Sequence, residues 1–91
     1  MTFSILVRDP ETGAMAGAAA TGNLCVGGWV LRGDVRAGLS ASQGKTPSTL
    51  WGEDVLDGMR KGLSAENAVA AVVSVDHGRE TRQLLALDHG G

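Results

Sequence analysis

Two short polar clusters carry the residue types that chemistry on a carbonyl group requires. Thr21 and Asn23 follow a run of small residues at the glycine-punctuated turn Thr21-Gly22-Asn23. Backbone N–H groups and short polar side chains at such a turn can donate to a developing oxyanion, and one donor of this kind is worth ~10²- to 10³-fold in rate. The same residues also suit an Asx-type turn with no catalytic duty. Ser42, Gln43 and Lys45 form the second cluster, between an expected strand and an expected helix. There Gln43 could hold a substrate amide, and Lys45 could lower the pKa of a nearby amine or bind a carboxylate. Backbone N–H groups entering the helix near Ser48 could bind an anion. The plainer alternative is a solvated lysine beside a helix cap.

Other reactive types point to less. Trp29 and Trp51 could wall an apolar substrate pocket, although a lone Trp on a helix face is more often core. Cys25, flanked by Leu24 and Val26, fits a small buried hydrophobe better than a working thiol. His77 and His89 stand at turns next to Asp76 and Asp88, without the i, i+4 or C-x-x-C spacing that a zinc site uses, so no metal is expected. Gly44-Lys45-Thr46 ends like a phosphate-binding loop, but Leu39 occupies the place of its leading glycine, which sets nucleotide hydrolysis aside. No cofactor is expected.

With 91 residues the chain can form one small domain, and its net charge of −2 with no basic stripe argues against a nucleic-acid partner. The longest apolar stretches fall far short of the ~20 residues that cross a bilayer. A single cysteine permits no internal disulfide, and the N-terminus lacks a signal-peptide pattern, so a cytoplasmic location is expected.

These clusters must be positioned by regular elements. Phe3 to Arg8 reads as a strand, Asp9-Pro10-Glu11-Thr12-Gly13 as a hairpin turn, and Ala14 to Ala20 as the returning strand. Its Ala and Gly residues imply that another layer or a ligand approaches closely. Leu24 to Val30 is a short apolar segment broken by Gly27-Gly28, and Val35 to Ser42 reads as a third strand. From Ser48 the period becomes helical, with Leu50, Trp51, Val55, Leu56 and Met59 on one face and Gly62 as the stop. Ser64 caps a second helix, striped by Val69, Val72 and Val73, and the two helices form a hairpin. Gln83 to Leu87 reads as a final strand, and Asp88-His89-Gly90-Gly91 as a tight turn. The strand that should return from that turn is expected from another polypeptide.

The segments TFSILVRDPETGAMAGAAATGN, AGLSASQGKTPSTLWGEDVLDGM and GLSAENAVAAVVSVDHGRETRQLLALDHGG together resemble the N-terminal part of a bacterial and archaeal family known as domain of unknown function 1028. Its members are similar in fold to the N-terminal-nucleophile hydrolases. The resemblance implies an α+β fold, a four-layer αββα sandwich in which residues 1–91 are the N-terminal portion of a single domain completed by a second chain.

It also implies a function, hydrolysis of an amide bond. In that superfamily a chain-initial Thr, Ser or Cys attacks an amide carbonyl and uses its own α-amine, of pKa about 8, as base. Two positions for the nucleophile are open. Thr2 would begin the chain after Met1 is removed. The preferred position is a residue directly after Gly91, released by self-cleavage, because glycine permits the strained backbone that such processing needs. In that case residues 1–91 are an α chain whose partners are a companion β chain and a small-molecule amide or peptide substrate, with further oligomerisation open. Thr21, Asn23 and Lys45 would support catalysis while Ser42, Gln43, Trp29 and Trp51 bind substrate. The competing expectation is a binding or scaffold module that keeps the sandwich without catalysis.

Overall fold

The computed structural model describes residues 1–44 and 50–91. Strand β1 (Thr2–Arg8) and strand β2 (Met15–Thr21) pair as an antiparallel hairpin, in register from Thr2 opposite Thr21 to Arg8 opposite Met15. The turn between them has the chemistry expected of it. The Asp9 carboxylate accepts from the Glu11 amide at 2.9 Å and from the Thr12 hydroxyl at 3.0 Å, and Gly13 takes a left-handed φ of 76°. These hydrogen bonds hold the Asp9 carboxyl below its ordinary pKa.

The next two segments depart from the sequence expectation. Leu24 to Val30 contains a short helix, α1 (Val26–Val30), entered through Cys25 in the left-handed region. The expected single strand over Val35 to Ser42 is half a hairpin. Strand β3 (Leu31–Asp34) and strand β4 (Gly38–Gly44) are joined by a tight turn at residues 35–37, where the Asp34 carboxylate accepts from the Arg36 amide at 2.9 Å. Asp34 supplies the side-chain turn acceptor that the alternation of apolar residues conceals.

Helix α2 (Trp51–Arg60) and helix α3 (Ala65–Ser74) form the expected hairpin. The Ser64 hydroxyl accepts from the Asn67 amide at 3.2 Å, as a cap should. Leu50, assigned to the apolar face, instead stands exposed just before α2. A single 3₁₀ turn, Arg79–Thr81, leads into strand β5 (Arg82–Asp88), and the terminal turn closes with the Gly91 amide donating to the Asp88 carbonyl at 2.9 Å.

Strand β5 pairs with β4 along its whole length, giving a second antiparallel sheet in the order β3-β4-β5. The final strand thus finds a neighbour within the chain, and its other edge has no strand beside it among the described residues. Alternation gives this sheet two faces. Ser40, Leu84 and Ala86 face the helices, where Val55, Leu56, Met59 and Ala68 form the core with Ala37. Gly52 allows α2 to sit directly on the sheet: its carbonyl accepts from the Ser40 hydroxyl at 3.0 Å, and a Cβ there would come within 3.1 Å of both Arg32 and Ser40.

The opposite face meets the β1–β2 hairpin. The expected close approach to the Ala-rich strand occurs at Gly17, whose Cβ would lie 3.0 Å from Leu6 and 3.5 Å from Leu31. The described residues form a small mixed α/β domain with two antiparallel sheets and three helices.

Candidate active site

Four polar side chains from four strands meet at the Thr2 end of the inter-sheet space. Thr2 and Thr21 face one another across the hairpin, and the Thr2 hydroxyl donates to the Thr21 hydroxyl at 2.9 Å. Thr21 passes its own proton to the Met1 carbonyl at 3.1 Å. From the other sheet, the Gln43 carboxamide nitrogen donates to the Thr2 carbonyl at 2.6 Å and to Gln83 Oε1 at 3.0 Å. Gln43 lies opposite Gln83 in the β4–β5 register, so the paired strands fix both amides on one face.

Gln43 is only 6% exposed, and its Oε1 has no hydrogen-bond partner among the described residues. Leaving a buried acceptor unpaired costs about 1–3 kcal/mol, which the fold tolerates here. Beside it lies a cavity of about 280 Å³ lined by Phe3, Ser4, Ala41, Gln43, Gln83, Leu84 and Leu85.

The structure brings together only part of the set expected from sequence. Thr2, Thr21 and Gln43 converge. Asn23 is exposed on the loop after β2 and has no hydrogen bond among the described residues. Ser42 is buried, but it follows the parity of Ser40 toward the helices, whereas Gln43 faces the hairpin. Lys45 and the expected helix start at Ser48 lie outside the described residues.

Trp51 is buried on the helix side, with the Arg82 guanidinium 5.7 Å from its ring centre. It borders a separate hollow with Leu50, Asp54, Val72, Val75 and His77. Trp29 is 58% exposed on α1, and Cys25, at the left-handed turn that enters α1, is exposed rather than buried. No group of three or more potential metal ligands occurs among the described residues.

Gly91 lies at the other end of the hairpin. Its Cβ would fall 3.6 Å from the Arg8 side chain, and Arg8 Nε donates to the His89 carbonyl at 2.8 Å. The six residue steps from Thr2 to Arg8, at ~3.3 Å each, separate that end from the polar group by about 20 Å. Sequence reasoning missed Gln83 and Ser4. The first was detectable only through its register with Gln43, and the second through its alternation with Thr2.

Two antiparallel sheets face to face, one backed by a helix hairpin and enclosing a partly polar cavity, define the class of domain. The chain belongs to DUF1028, a family of unknown function whose model matches residues 2–91. The crystal structure of a DUF1028 protein from Silicibacter pomeroyi, SPO2555, is similar, with 66% sequence identity and a TM-score of 0.93. The alignment covers 97% of this chain and 39% of that one, so the chain spans well under half of that relative's length. No curated protein matches the chain. Among the described residues no helix is long and apolar enough to cross a membrane.

Proposed function

We propose that this chain supplies the catalytic strand pair of an amide-bond hydrolase of the N-terminal-nucleophile type, with Thr2 as nucleophile once Met1 is removed. The observation that carries the proposal is the convergence of Thr2, Thr21 and Gln43 at the start of β1, with a cavity lined by Gln43 beside them. With Met1 present, Thr2 has an amide nitrogen and no base. With Met1 gone, the Thr2 amine takes the hydroxyl proton as Oγ1 attacks the substrate carbonyl carbon. The resulting ammonium returns a proton to the leaving nitrogen as the C–N bond breaks, and an ester on Thr2 remains. Water, deprotonated by the same amine, then releases the carboxylic acid. Loss of Met1 also frees the Thr21 hydroxyl to donate beside the attacking oxygen.

A nucleophile directly after Gly91 would begin beside Arg8, remote from Thr21 and Gln43, so the companion-chain arrangement has less support from this geometry. The four-layer sandwich belongs to the same proposal. Phe3, Ile5 and Val7 are 66%, 58% and 48% exposed on the outer face of β1, next to the Ala-rich strand. A helical layer from polypeptide that the SPO2555 protein has beyond the aligned region would cover that face.

The test is hydrolysis of a panel of uncharged acyl amides by wild type, Thr2→Ser and Thr2→Ala, with intact mass to establish whether Met1 is present. Thr2→Ala should lose at least about 10³-fold in kcat/KM while Thr2→Ser retains activity. Undiminished hydrolysis by a folded Thr2→Ala variant would sink the proposal. If no form hydrolyses any amide, the binding-module alternative stands.

A further inference from the structure

We infer that Gln43 and Gln83 are positioning residues for Thr2, their paired carboxamides holding the first residue of β1 in the orientation that acylation of its hydroxyl requires. The inference rests on the reading of Thr2 as nucleophile and adds a device which that reading does not itself call for. Once Met1 is gone Thr2 is a chain terminus, and termini fray unless tied down. The hydroxyl and the α-amine both hang from the Thr2 Cα, so the reaction needs the backbone of that one residue held still. Within the hairpin, Thr2 is tied by its pairing with Thr21 and by the bond between the two hydroxyls at 2.9 Å. A further tie comes from the other sheet, where Gln43 Nε2 donates to the Thr2 carbonyl at 2.6 Å.

Gln43 is a firm support, because its side chain is buried and β4 lies between β3 and β5 in the sheet. Gln83 sets the orientation of its amide. From the facing position in β5, Gln83 Oε1 accepts the second Gln43 proton at 3.0 Å. A carboxamide turned over would set Gln43 Oε1 against both the Thr2 carbonyl and Gln83 Oε1, so the two acceptors together keep Nε2 toward Thr2. The cost is Gln43 Oε1 itself, buried with no partner among the described residues. A leucine at this position would avoid that cost, which leaves the grip on Thr2 as what the glutamine provides. Gln83 is exposed, so substitution there probes the clasp without disturbing the core.

The test uses the full chain prepared with Thr2 as its first residue and mixed rapidly with p-nitrophenyl acetate. The acetyl group passes to the Thr2 oxygen, the hydroxyl proton to the amine, and p-nitrophenolate is released; Thr2→Ala, with its own free amine, gives the background. Burst amplitude counts reactive chains, whereas burst rate reports how well Thr2 is placed. Gln43→Leu should slow the burst about 10- to 100-fold at unchanged amplitude per folded chain, and Gln83→Leu about 3- to 10-fold. Gln83→Glu, which keeps an acceptor for Gln43, should restore the wild-type rate. In ¹⁵N relaxation the Phe3 order parameter should fall from about 0.85 to below about 0.6 in Gln43→Leu, with Val55 and Leu56 unchanged. Reduced amplitude at the wild-type rate, as a merely structural role would give, or wild-type rates in both leucine variants, would overturn the inference. Absence of any burst above background in wild type would remove the nucleophile, and lost order at Phe3 in Gln43→Leu would then leave the clasp standing as a grip on the start of β1. Unchanged order there would overturn the clasp as well.

Discussion

The two faces of the β3-β4-β5 sheet are built from the same strands and serve opposite ends. The helix side is sealed. Val55 and Leu56 are fully buried against the strands, and even the polar Ser40 is satisfied by the Gly52 carbonyl. The hairpin side keeps a cavity, two glutamines and an acceptor with no partner among the described residues. Adjacent residues divide the tasks, with Ser40 and Ser42 facing the core and Ala41 and Gln43 facing the cavity. Stability concentrated on one face allows the other to remain imperfectly packed.

Substitutions on each face should separate stability from binding. The largest effect is expected where the strands meet, at Gly38, whose φ is +142° and whose Cβ would lie 2.1 Å from the Leu87 carbonyl oxygen. Gly38→Ala should cost about 3 kcal/mol or more in chemical denaturation, enough to threaten folding in a domain of this size. Leu56→Ala, on the sealed face, should cost about 2–5 kcal/mol. A loss below about 1 kcal/mol would show that this face is not the main store of stability.

Gln43→Leu should cost less, under about 2 kcal/mol, since it gives up two hydrogen bonds and also removes a buried acceptor that has no partner among the described residues. A loss as large as that of Leu56→Ala would erase the contrast between the faces.

A smaller effect is expected at the sheet's rim, where the Arg60 guanidinium, 2.6 Å away, and the Arg36 amide hold Asp34 at a pKa of about 2, below its ordinary 3.8. A depressed carboxyl stabilises the fold above its unfolded pKa, and that stabilisation fades as pH falls from about 4 toward 2. The stability gap between wild type and Asp34→Asn, measured by denaturation against pH, should therefore close over that interval. A gap independent of pH would remove the charge from the explanation. Smallest of all, Lys61→Ala breaks an exposed pair with Asp57 at 2.8 Å and should leave the chemical-denaturation midpoint where it is in wild type.

How legible each face was in the sequence follows from the range of its signals. The helix hairpin was readable because the spacing of Val55, Leu56 and Met59 and the cap at Ser64 are local. The β3–β4 turn was not, because Asp34 interrupts an apolar alternation that reads equally well as one strand. The candidate site was legible only in part. Thr21 and Gln43 stand out by residue type and Thr2 only through the family resemblance, but the bond from Gln43 to Thr2 joins residues 41 apart in sequence, and no local pattern announces it. Ser42 was grouped with Gln43 because the two are neighbours, although neighbours in a strand face opposite ways.

The catalytic claim is tested most directly by intact-mass and fragment analysis of the protein after brief incubation with a slowly hydrolysed activated acyl compound. A single acyl adduct on the Thr2 oxygen of a chain lacking Met1, and none in Thr2→Ala, is the predicted result. An adduct on another residue, or acylation that persists at the same level in Thr2→Ala, would contradict it.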